Sequence, residues 1–408
     1  MVMVQRSYPL GSGQIHRTIY IYIENNLSVD TSIHWHGQRV VNAVDGVPGL
    51  TQAPIKPGET FHQTISFPDP GTYWYHPHLD SQEAVGRGLI SPLIIEEEEP
   101  IAVDHDLTAL VSRHIVGANG KVLSDFGEVF PSRWPKGTKN TWFINGRKLM
   151  EGTARAGETV RLRIINGSTM WPFFTELPDF EVFVAAIDGH PLSSPIPLPR
   201  SYALWPGQRY DLLFTVPDCS FSLDTGVGFS LLNMHVIGKV DAPRPLPRLP
   251  TNPIAPIDLQ NAKTIPLKIT RREQSGFEKA RAAVMTKMGK QDNTGMDWFF
   301  NGATLTEASL CSGGAAPLFH ARKGQTVRIK MENTRINVHP MHLHGHSCFT
   351  ISPNGEVIDY GAVRDTVNLL GNSKIEIAFV ADNPGRWMLH CHDLRHQAQG
   401  MMGYFAVV

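Results

Sequence analysis

The chain has 408 residues, with 37 basic and 38 acidic side chains and a formal net charge of −1 at pH 7. That length suits two or three domains rather than one. The balanced charge offers no overall field to recruit nucleic acid or anionic lipid, and no apolar run of about eighteen residues is present to span a membrane.

In chain order, the opening MVMVQRSYPLGSG lacks the basic start and apolar core of a secretory leader. RTIYIYIEN (17–25) then alternates apolar and polar residues at period two, which predicts a strand. His34-Trp35-His36-Gly37 follows, with an Asp45-Gly46 turn signal beyond it. FPDPGTYWYHPH spans 67–78, and the Glu96–Glu99 run reads as a solvated patch after a strand. ETVRLRIIN (158–166) has the same strand pattern, but TMWPFF follows it where the outer segments place histidines. The Pro-rich APRPLPRLPTNPIAP (242–256) predicts a semi-rigid linker. Residues 272–290 are partly helical in pattern, although Gly276 and Gly289 weaken it. QTVRIKMEN (325–333) is a third version of the strand, followed by HPMHLHGH (339–346) and HCHDLRHQAQGMM (390–402).

These segments repeat. IYIYIENNL, VRLRIINGS and VRIKMENTR are three copies of one element, and the stretches ending at His78 and His392 match from their Asp onward. The expected fold is therefore all-β, three related β-sandwich domains over 1–100, 101–242 and 260–408, with a Pro-rich linker at 243–259. The middle repeat, lacking histidines, reads as a spacer between the outer two. Three cysteines remain if Cys391 is a ligand, so Cys219, Cys311 and Cys348 do not form a disulfide scaffold, and Cys348 reads as a small buried hydrophobe.

With 18 histidines, about 0.8 His-x-His pairs are expected by chance. Here His34/His36, His76/His78, His342/His344 and His390/His392 make four, two per outer domain at related places. Each pair projects both imidazoles to one side of a strand. If the outer domains pack by pseudo-symmetry, eight imidazoles meet at their interface, too many for one ion and suited to a cluster. Cys391 lies between His390 and His392 and so points the other way. With His339, His396 and Met401 it supplies the Cys, two-His and weak axial Met set of a blue-copper centre. One strand then carries a metal on each face, a wire between two sites. The single histidines His16, His62, His105, His114, His190, His235 and His320 read as structural or surface residues; His346 is equally placed to support the ligands. Met285, Met288 and Met296 read as packing or loop residues more readily than as a Cu(I) site. Asp365 is expected in a turn or loop, or near the mononuclear centre.

With HWHG (34–37), YHPH (75–78), HPMHLHGH and HCHDLRHQAQGMM in place, the sequence resembles a three-domain multicopper oxidase of the laccase type over most of its length. The resemblance implies cupredoxin-like Greek-key sandwiches and four copper ions per chain. It assigns His339, Cys391, His396 and axial Met401 to the blue copper, and His34 and His342 to the single copper of a three-copper cluster. It gives His36, His76 and His392 to one copper of the coupled pair and His78, His344 and His390 to the other. Asp45 matches a carboxylate that helps deliver protons to oxygen, so the residues expected to act in catalysis are Asp45, Cys391, His390 and His392. The implied activity is one-electron oxidation of phenols or aromatic amines coupled to four-electron reduction of O2 to water, with pH-dependent rates on phenols. A cuprous oxidase serving copper tolerance is the alternative, and a non-catalytic electron-transfer protein a further one. The implied partners are a small reductant and O2, without nucleic acid or membrane, and the implied location is extracytoplasmic, periplasmic or secreted. Family members usually carry further strands before the segment that begins here near Gln14, so the first sandwich is expected to be short, with an edge exposed or covered by another segment.

Overall fold

Period-two alternation becomes strand wherever it occurs in the computed structural model, which describes residues 2–5, 18–123, 126, 135–176, 178–199, 203–272, 298–313 and 315–408. The three repeated segments form Thr18–Glu24, Thr159–Asn166 and Gln325–Asn333. In the last, Val327, Ile329 and Met331 point into a core while Lys330 on the other face is exposed. Burying such side chains contributes roughly 1.5–3 kcal/mol each. The helical tendency expected over 272–290, from 273 onward, and Met285, Met288 and Met296 lie outside the described residues.

The protein has three cupredoxin-like domains. In the third, a six-stranded sheet that includes Gln325–Asn333 and Lys374–Ala381 faces a five-stranded sheet that includes His339–Leu343, Gly385–Cys391 and Met402–Val407. Trp298, Phe379, Trp387, Phe405 and Cys348 fill the space between them. The middle domain has a six-stranded sheet containing Thr159–Asn166 and Arg209–Thr215, with a three-stranded sheet and a separate core. In the first domain, a three-stranded sheet of Val2–Gln5, Thr18–Glu24 and Thr60–Ser66 accompanies another of His34–His36, Gly71–His76 and Ser91–Ile95. Val2–Gln5 runs antiparallel to Thr18–Glu24, with Val2 opposite Ile23, so one edge of that strand is covered by the chain itself.

Two sequence readings change. Thr159–Asn166 is buried along its whole length, not on one face. Its expected polar face, Arg161 and Arg163, packs against the first domain and pairs with Asp211 at 2.6 and 3.5 Å. Glu97, read as part of a solvated run, is drawn into the same network at 2.6 Å from Arg161. The Pro-rich linker has no strand and lies along the first two domains, where Asn252 donates to the carbonyls of Pro70 and Gly189.

Candidate metal centre

Strand pairing sets the histidines. His34 lies opposite His76 in the first domain, and His342 lies opposite His390 in the third. The same two-strand device is thus built twice, and the two face each other. His34 stacks on His344 at 3.9 Å and His36 on His342 at 3.7 Å between ring centroids. His390 Nε2 is 3.1 Å from His344 Nε2 and 3.5 Å from His78 Nε2, so one imidazole from the first domain and two from the third converge. His36, His76 and His392 are neighbours by their rings, at 4.8, 5.4 and 5.8 Å between centroids. All eight imidazoles are buried.

In five of the eight rings one nitrogen is tied down and the other is left over. His34 Nδ1 is 2.8 Å from the Asp45 carbonyl, His76 Nδ1 3.0 Å from that of Pro77, and His390 Nδ1 3.0 Å from that of Cys391. His342 Nδ1 faces the Asp365 carbonyl at 3.1 Å. Among the described residues, Nε2 of His34, His76 and His342 and Nδ1 of His36 and His78 are buried without a hydrogen-bond partner, as are both nitrogens of His392. Leaving a buried polar atom unpaired costs about 1–3 kcal/mol, and a coordinated metal ion removes that cost. Burial, reinforced by neighbouring imidazoles, holds His36, His76, His78, His344, His390 and His392 well below the usual histidine range. This favours the neutral form, the one that ligates. The donor set fits copper.

Cys391 closes the strand Gly385–Cys391 and turns away from the cluster into the third domain's core. Its Sγ is 3.7 Å from His339 Nδ1 and 3.8 Å from His396 Nδ1, and those two nitrogens are 3.2 Å apart. The three make a compact triangle of ligand atoms. Asp393 shapes it by capping the helix Leu394–Ala398: its Oδ1 accepts from the backbone N–H of Arg395 and His396, which turns His396 back toward Cys391. Met401 is buried, and its carbonyl accepts from Cys391 N–H at 3.1 Å while its own N–H donates to His396. Burial and the Asp393 charge push the Cys391 thiol well up, so metal binding must displace its proton. Trp298 packs edge-on against His339 and His396 at 4.7 and 4.9 Å.

Asp45 ends a short 3-10 turn and also reaches the cluster, with Oδ2 3.0 Å from His344 Nδ1 and Oδ1 3.3 Å from His34 Nδ1. Asp365 is not at the mononuclear centre. Its Oδ1 lies 3.2 Å from both His36 Nε2 and His342 Nδ1 at the cluster, making it a second carboxylate there. His346 joins neither centre; it packs among Phe379, Trp387 and Phe405 with Nδ1 3.2 Å from the His344 carbonyl.

The middle domain does more than space the outer two. Arg209, fully buried, grips Asp365 with both terminal nitrogens at 2.7 and 2.9 Å and donates to the carbonyls of Thr72, Gly207 and Asp188. Asp188 accepts from the backbone of Asp365 and Thr366. Burial would raise the Asp365 carboxyl, but Arg209 and the two imidazoles hold it well down, while burial and the Asp365 charge push Asp188 up to about 6. Gly207 has φ +88°, and a Cβ there would sit 3.0 Å from His392 and 3.1 Å from His36. Sequence reasoning missed Arg209, Asp188 and Gly207. The available signal was a charged pair, Arg209 and Asp211, at the start of a strand that continues as Leu212, Leu213 and Phe214.

Three family models, each described as multicopper oxidase, match residues 12–100, 118–222 and 279–408. Multicopper oxidase MmcO of Mycobacterium tuberculosis is 30% identical over 96% of this chain and 80% of its own length. Laccase-1 of Botryotinia fuckeliana is 27% identical over 94% and 74%, and the iron transport multicopper oxidase FET3 of Saccharomyces cerevisiae 28% over 94% and 68%. The crystal structure of a multi-copper oxidase from Pseudomonas thermotolerans superposes with a TM-score of 0.80 at 31% identity, over 95% of this chain and 89% of that one. Eight facing imidazoles and a Cys–His–His triangle on the back of one strand agree with that kinship, and the chain belongs to the multicopper oxidase family.

Proposed function

We propose that this protein is a laccase-type oxidase that takes one electron at a time from phenols or aromatic amines and reduces O2 to water. The observation that carries the reading is the placement of the Cys391 triangle directly behind the eight-imidazole cluster. His339, Cys391, His396 and Met401 would hold the mononuclear copper. His34 and His342 would hold the single cluster ion, His36, His76 and His392 one of the coupled pair, and His78, His344 and His390 the other, four ions per chain. When bound, copper supplies one-electron redox chemistry at the first centre and dioxygen reduction at the second. The chain supplies the path between them: Cys391 is covalently continuous with His390 and His392, and His390 Nδ1 is also hydrogen-bonded to the Cys391 carbonyl. It also supplies a dry interior. We take the domain limits as 1–100, 101–242 and 260–408, and propose an extracytoplasmic location, supported by the family resemblance. Among the described residues no helix is long and apolar enough to cross a membrane.

The test is steady-state oxidation of a methoxyphenol by copper-loaded protein with oxygen uptake followed in parallel. One O2 consumed per four phenols supports the reading; no turnover overturns it. Asp45 orients His344 and His34 and is the acid nearest them in the first domain. Asp45→Asn should therefore lower turnover roughly 10–100-fold while leaving anaerobic bleaching of the blue band by phenol at its original rate. Slowed bleaching would place Asp45 outside the oxygen half of the reaction.

A further inference from the structure

Alternate residues of the strand His105–Val116 face the middle domain's core, and that row runs Ala109, Val111, Arg113. An arginine thus occupies the last place on an inward face, where it is half-buried. Across the strand pair it lies opposite Trp142, which packs on the same core and stacks on Phe229 at 4.9 Å. Its guanidinium lies over the ring of Trp171, with Cζ 3.8 Å from the ring centre, and is 5.6 Å from that of Trp142. Trp171 is itself held, because its carbonyl accepts from Asn166 Nδ2 at 3.0 Å and Ser168 Oγ at 2.7 Å. The other buried arginines of this domain grip carboxylates: Arg161 those of Asp211 and Glu97, Arg163 those of Asp106 and Asp211, and Arg209 that of Asp365. Arg113 has no carboxylate among the described residues, and none of them accepts from its N–H groups. Burial, with no nearby acid to oppose it, brings the guanidinium down to about 9, still charged at neutral pH.

Stacking engages the flat face of a guanidinium and leaves its N–H groups, which lie in the plane, available to an acceptor. The acceptor that matches that fork is a carboxylate, which takes two parallel bonds and neutralises the charge. We propose that Arg113, Trp142 and Trp171 form a seat for an aromatic carboxylate in the middle domain, with the guanidinium taking the acid group and the indoles the ring. Both indoles are half-buried, so each keeps apolar surface that a ring can cover. A small inorganic or aliphatic anion would engage the fork but leave that surface wet. The seat binds without chemistry: no electron or proton changes hands there, and it stands whether or not a phenol is the reductant of this oxidase.

The experiment is calorimetric titration of the copper-loaded protein with 2-naphthoate, 2-naphthamide, acetate and sulfate. The parent should bind 2-naphthoate roughly tenfold more tightly than the amide, which keeps the ring and loses the charge. It should also prefer 2-naphthoate to acetate and sulfate, which keep the charge and lack the ring. Arg113→Gln should abolish the preference of acid over amide, and Arg113→Lys should retain part of it, because an ammonium is a point charge without the fork. Trp171→Leu should bring 2-naphthoate down toward acetate. Thermal unfolding shows which variants are folded; if Arg113→Gln is not, Arg113→Lys and the parent's own ligand series give the answer. Equal binding of acid and amide by the parent, sulfate bound as tightly as 2-naphthoate, or unaltered 2-naphthoate binding in the folded Arg113 variants overturns the seat.

Discussion

Cys391→Ser is expected to be colourless and inactive with every reductant, phenol or metal ion, with turnover down by more than about 100-fold. Changes to residues that merely support a ligand already cost 10–100-fold, and Cys391 is the sulfur of the triangle itself. The substitution is nearly isosteric in a fully buried place, so the sandwich should still form. Two effects combine. The hydroxyl is a poor ligand for a soft site, and the route to His390 and His392 begins at the sulfur. The cluster histidines belong to other faces and keep their ions, so the near-ultraviolet absorption of the coupled pair should persist. Copper analysis and absorption spectra, read beside oxygen uptake, check this. A colourless variant with parental turnover would refute the wire between the two centres.

Arg209→Met removes the cation on which three domains converge. It leaves the Asp365 carboxylate buried, next to His36 and His342, without its bidentate partner. Breaking a buried ion pair from one side costs about 3–5 kcal/mol. The copper-free protein should lose that much in denaturant unfolding, and the loaded protein should lose cluster copper while keeping its blue band. Adding Asp365→Asn removes the stranded charge. The double variant should recover much of the stability without recovering cluster copper, because neither residue then orients His342. Parental stability and a complete cluster spectrum in Arg209→Met would show the network to be dispensable.

The contrast between these two residues shows what the sequence makes legible. Cys391, His390 and His392 are adjacent in the chain, and the alternation of a strand decides their directions without tertiary knowledge. The His-x-His pairs are equally local, and their repetition announces that two domains share one site. The sheets follow from the same alternation at Thr18–Glu24 and Gln325–Asn333. Arg209 has no such signature. Its partners Thr72 and Asp365 are far away in sequence, and its charge made an outward face the natural expectation. Arg161 and Arg163 misled in the same way, because a polar face covered by another domain looks in sequence like one facing water. Asp365 does lie in a bend, between Val363–Arg364 and Thr366–Leu369, as expected, but a turn signal says nothing about which domain packs above it, so its place at the cluster rather than near the mononuclear centre was not legible. Asp45 escaped that fate through the resemblance, not through its own neighbourhood.

The pairing of His78 with His390, 312 residues apart, has a consequence for biogenesis. An emerging polypeptide can finish its first sandwich and display His34, His36, His76 and His78 long before their counterparts exist. Until the final strands leave the ribosome, those rings line a half-built cradle open to any passing ion. Faithful metallation is therefore a late event that reports on complete assembly, and a nascent chain stalled ahead of His390 would be the form most exposed to capturing the wrong metal.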